Sequence, residues 1–166
     1  MNLGVDVART TTPPRCQPGI GLRPREEEHP AARFVPVLYA ALYESVAAHS
    51  RLGLNVAVDV GHHDRAPVAD AARRLAGLPV LFVGVQCPLE VIMERRRDSP
   101  PGNYAVAAPG EPIPEPIVRW QRGVHAHWTY DLEVDTSLLS PEQCADVIRR
   151  RLADGAPAKA FRRLAG

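Results

Sequence analysis

Val80-Leu-Phe-Val-Gly-Val-Gln-Cys87 leads straight into Pro88 and Leu89–Arg97. Residues 80–85 are apolar and largely β-branched, the composition of a strand buried on both faces in a parallel sheet. Pro88 suits the start of a helix, because the first turn leaves its N–H groups without intrahelical partners and proline lacks one anyway. A buried strand followed at once by a helix is half of a βαβ unit.

The pattern repeats on both sides. Upstream, Asn55-Val-Ala-Val-Asp-Val60 predicts a second buried parallel strand, and Leu132-Glu-Val-Asp-Thr136 downstream predicts a third. Between them the apolar spacing becomes helical. Val35, Leu38, Leu42 and Val46 mark a helix over 34–52, ended by Gly53, and Val68, Ala72 and Leu75 mark one over 68–76. Residues 117–128 predict a further helix, with Trp120 and Trp128 two turns apart on one face. Ser140-Pro-Glu-Gln143 is a capping box opening a helix through Leu152. The proline-bearing stretches 8–32 and 98–116 predict loops, the second a flap. The expected fold is α/β with a mostly parallel sheet, as one domain over 1–154 and a flexible tail over 155–166.

Bulk properties narrow the function classes. Twenty basic residues stand against 19 acidic ones among 166, so no net field draws nucleic acid or an anionic membrane. No apolar run approaches the length of a membrane span. Three dispersed cysteines, Cys16, Cys87 and Cys144, form no CxxC pair, which speaks against a disulfide framework and for a reducing, cytoplasmic setting. The histidines include His62-His63 and His125-x-His127, but no HExxH or Cys/His spacing supports a zinc site. Nothing in the sequence sets an oligomeric state.

Ligands of parallel sheets bind beyond the carboxyl ends of the strands. Candidates there are Asp6, after Leu3-Gly-Val5; Asp59 with His62, His63 and Asp64; and Asp135-Thr136. An acid closing an apolar strand, as Asp59 does, can hold Mg²⁺ or simply cap a loop. Arg95, Arg96 and Arg97 end a helix before the flap, where arginines can clamp a polyphosphate or merely complement the helix dipole.

Gly4-Val-Asp6, Val56-Ala-Val-Asp59, Val83-Gly-Val-Gln-Cys87 and Tyr130-Asp-Leu-Glu-Val-Asp-Thr136, in this order and spacing, resemble the chloramphenicol phosphotransferase family over nearly the whole chain. The resemblance implies a P-loop small-molecule kinase fold, with ATP and Mg²⁺ as cofactors and a small-molecule hydroxyl as acceptor. It makes Asp6 the base on that hydroxyl and Asp59 the metal-binding acid. It makes Arg95, Arg96 and Arg97 the lid arginines. From their place at the strand ends, Asp135 and Thr136 are expected at the nucleotide, and His62 or His63 facing the acceptor. Members carry a Gly-rich loop ending in Gly-Lys-Ser/Thr, before Gly-Val-Asp. In these 166 residues that loop is missing, and Lys159 is the one lysine. The expectation is therefore a kinase-like domain truncated at its N-terminus, lacking the central P-loop strand that the resemblance sets between 55–60 and 80–85. Such a chain would be inactive by itself. The alternative expectation is a non-catalytic module that binds a small ligand without ATP turnover.

Overall fold

A computed structural model describes residues 1–13, 16–17, 30–99, 106–107 and 110–165. Most of the loop expected over 8–32, and much of the flap expected over 98–116, lie outside the described residues. The chain forms two compact units, Met1–Pro79 with Arg162–Gly166, and Val80–Phe161.

In the first unit the N-terminal segment runs parallel to residues 57–59. The Leu3 and Val5 amides donate to the Ala57 and Asp59 carbonyls at 2.9 and 3.0 Å, and the Ala57 amide donates to the Met1 carbonyl at 2.8 Å. Gly4 is buried against this neighbour, and a Cβ there would meet the Asp59 carbonyl oxygen at 3.2 Å. Helix α1 (Val5–Thr10) follows at once, so the first three residues read as the start of a loop, Ala8 to Thr10, are helical instead. A 3₁₀ turn, Pro30–Phe34, leads into α2 (Val35–Arg51). Its buried face, Leu42, Tyr43, Val46 and Ala47, packs on α3 (Arg65–Arg74), which buries Val68, Ala71 and Ala72. Gly53, at φ +85°, lets the chain leave α2 in the left-handed region, with its N–H on the Ser50 carbonyl.

The predicted buried strand at 55–60 needs correction. Among the described residues its only ladder position is the parallel bridge of Ala57 with Asn2, and none of residues 54–60 is buried. The physical reason is that β-branched composition favours extended backbone, whereas burial on both faces comes from neighbouring elements that the sequence of the strand does not encode.

The second unit holds a parallel pair, β1 (Val83–Gln86) and β2 (Leu132–Asp135), with Val83 opposite Leu132 and Gln86 opposite Asp135. The ladder is continued at both ends by the Asp131 amide on the Phe82 carbonyl and the Thr136 amide on the Gln86 carbonyl, each 2.9 Å. Two motifs meet here. The Tyr130 ring lies so close over Gly84 that a Cβ would sit 2.5 Å from it. Glycine is required there by the aromatic neighbour, at an ordinary φ.

Helix α4 (Leu89–Arg97) starts after Pro88 as expected. Helix α5 (Glu115–Gly123) stops five residues short of the predicted end. Beyond it the chain turns so that the Trp128 indole donates to the Val124 carbonyl at 2.7 Å, and Trp128 does not share a helical face with Trp120. Helix α6 (Pro141–Ala153) has both bonds of the predicted capping box. The stretch read as a flexible tail is held at its centre. The Asp131 carboxylate accepts the Lys159 and Ala160 amides at 2.7 and 2.9 Å, and Phe161 is buried edge-on against Phe82. A signal in sequence for this latch is absent, because its acceptor lies 28 residues away.

Candidate functional site

Asp6 stands in the first turn of α1 with an exposed side chain. The pairing of Val5 with Asp59 fixes where that turn begins. Asp6 and the exposed Asp59 therefore follow from adjoining, parallel segments, at the carboxyl end where such sheets place ligands. Beside them, Val5, Ala8, Thr12, Leu38, Tyr39 and Leu42 line a small apolar crevice between α1 and α2. Burial raises the pKa of the Tyr39 hydroxyl, and the charge of Asp6 raises it further. Tyr39 was not singled out in the sequence. Its spacing of four from Tyr43 on one helical face was the available signal.

His62 is buried, with Nε2 2.6 Å from the Tyr43 hydroxyl and its ring edge-on to Tyr39 at 4.4 Å. Burial pushes its pKa down to about 4, with His63 adding to the shift and Asp64 opposing it. A neutral imidazole accepting the Tyr43 O–H satisfies both buried groups. That nitrogen is committed to Tyr43 inside the core, so His62 is an internal partner of α2. His63 is more open, with Nε2 3.3 Å from the Asp64 carboxylate.

In the second unit the candidates at the strand ends hold one another. Asp135 accepts the Ser137 amide at 2.8 Å and the Ser137 hydroxyl at 2.6 Å, and these bonds keep its carboxyl below the usual range. Arg95 donates to the Thr136 hydroxyl at 3.1 Å, to the Thr136 carbonyl, and to Cys87 Sγ at 3.7 Å. The Thr136 hydroxyl donates onward to the Gln86 carbonyl. Arg97 returns to the Met93 carbonyl of its own helix at 3.4 Å. Arg95 thus ties α4 to the end of β2.

Among the described residues no group of three or more His, Cys, Asp or Glu side chains could hold a metal ion. Asp135 and the Arg95 guanidinium are engaged internally, and the 166 residues offer no Gly-Lys-Ser/Thr loop. No helix among the described residues is long and apolar enough to cross a membrane.

Parallel strands joined through helices, with acids at their carboxyl ends, define the class as an α/β domain. A family model described as chloramphenicol phosphotransferase-like protein matches residues 1–153, and the chain belongs to that family. The family is one of kinase-like phosphotransferases. A search of curated proteins finds none that matches.

Proposed function

We propose that this protein serves phosphoryl transfer to a hydroxyl of a small molecule, with Asp6 as the carboxylate that orients the alcohol and takes its proton. The observation that carries this reading is the Gly4-Val5 pairing with Asp59, which brings an exposed acid to the end of a parallel pair, beside an apolar crevice. Phosphoryl transfer asks mainly for positioning and charge stabilisation, and a carboxylate within hydrogen-bond reach of the acceptor supplies the first. The donor side lies outside this reading.

The test is an amide-shift map of residues 1–166 titrated with chloramphenicol and simple arylalkyl alcohols. Shifts gathering at Asp6, Ala8 and Tyr39, and lost in Asp6→Asn, are the expected result. Binding that leaves these amides unmoved, or no binding by any alcohol, removes the reading. A second reading, a small-ligand module without ATP turnover, is favoured by the internal engagement of Arg95, Asp135 and Thr136. An ATP-dependent rise in melting temperature of residues 1–166 would exclude it.

A further inference from the structure

Tyr39 and Tyr43 lie four residues apart on α2, so they share a face of the helix. Their rings stack, with centroids 6.3 Å apart and planes at 21°. The two hydroxyls differ in what they meet. That of Tyr43 is buried, 2.6 Å from His62 Nε2. The Tyr39 ring is braced edge-on against His62 at 4.4 Å, but among the described residues nothing hydrogen-bonds its hydroxyl.

A half-buried phenol without a partner gives up hydration and receives no bond in exchange. Phenylalanine at this position would keep both ring contacts and avoid that cost. The place of the hydroxyl accounts for its presence. Tyr39 lines the crevice to which α1 contributes Val5 and Ala8, the residues on either side of the turn that carries Asp6. The other hydroxyl in the lining, that of Thr12, donates back to the Ala8 carbonyl at 2.9 Å. The remaining lining is aliphatic. Burial, and then the charge of Asp6, hold the Tyr39 phenol protonated, so it is a donor.

We propose that the Tyr39 hydroxyl is a second binding point for the alcohol that Asp6 orients. Asp6 accepts the O–H of the alcohol, and Tyr39 donates to its oxygen. An alcohol oxygen has two lone pairs; with Tyr39 on one, the other is left to attack phosphorus. The aliphatic lining then takes an apolar end of the ligand. His62 and Tyr43 act behind Tyr39 by holding its ring in place. This inference deepens the phosphotransfer reading and rests on it.

The two tyrosines provide the test. Residues 1–166 are titrated with 2-phenylethanol and followed by amide shifts, and the same variants are melted. Tyr39→Phe should bind the alcohol about fivefold more weakly and melt no lower than wild type. Tyr43→Phe, which strips buried His62 of its partner, should melt lower. Unchanged alcohol affinity in Tyr39→Phe, with Asp6→Asn still abolishing the shifts, would overturn the role of Tyr39 and leave the Asp6 reading standing. A melting temperature lowered as much by Tyr39→Phe as by Tyr43→Phe would also overturn it, because the hydroxyl would then have an internal partner. An absence of shifts in wild type would remove the Asp6 reading and this inference with it.

Discussion

The two units treat similar strands differently. Val56, Val58 and Val60 resemble Val83 and Val85 in composition, yet the first stretch makes one bridge and the second a four-residue ladder. In the second unit Tyr130 covers Gly84, Asp131 caps the Phe82 amide, Arg95 closes the carboxyl end, and Gln121 donates to the Cys87 carbonyl just beyond β1. In the first unit the stretch at 55–60 has the short N-terminal segment as its ladder partner. A strand's register and burial belong to what packs on it, and only its extended tendency belongs to its own residues.

Acid separates the units most strongly. Folding holds the His62 pKa near 4, below the ordinary 6.5. The contribution of neutral His62 is therefore full above about pH 6.5. It falls as the unfolded chain takes up the proton, and levels off below about pH 4. The first unit should lose on the order of 3 kcal/mol across that window. His62→Gln should flatten this dependence in urea melts followed at α2, and a wild-type stability constant from pH 7 to 4 would refute the assignment.

The glycines give the next comparison. Gly84→Ala drives a methyl into the Tyr130 ring and should cost about 2–3 kcal/mol. Gly4→Ala meets Asp59 at 3.2–3.3 Å and should cost about 1 kcal/mol. Equal losses in denaturant midpoints would mean that the two strand pairs are equally tight.

Asp131 sharpens the contrast from the other side. Burial opposes its ionisation, but the Ala160, Phe82 and Lys159 amides outweigh this and lower its carboxyl pKa. Its stabilisation is present above the usual carboxylate range and is lost as pH falls below about 4. Asp131→Ala should cost about 1–2 kcal/mol at neutral pH and release the Ala160 amide to exchange, with the acid sensitivity of the second unit reduced. Continued protection of Ala160 in that variant would show that Phe161 alone docks the tail.

Much of this was legible in sequence where the determinants are local. Pro88 fixed the start of α4, and Ser140 with Gln143 fixed that of α6, because caps act over three residues. The motif segments were legible as a set, and the structure pairs them as Gly4 with Asp59 and Gly84 with Tyr130. Long-range partners were not. The bond of His62 to Tyr43 was not legible, because the partner sits 19 positions earlier on another element. The end of α5 and the docking of residues 159–161 depend on bonds to Val124 and Asp131 that no period announces. The arginine cluster suggested phosphate by charge alone, and the Thr136 hydroxyl and carbonyl engage its first member.

The central claim concerns Asp6, and the direct measurement is turnover. In a chain extended by a strand, a Gly-rich loop ending in Gly-Lys-Ser/Thr and a helix ahead of Met1, phosphorylation of a small alcohol is followed for wild type and Asp6→Asn. The account predicts a fall in kcat of about 10²–10⁴ with ATP affinity little changed. Equal kcat values would contradict it.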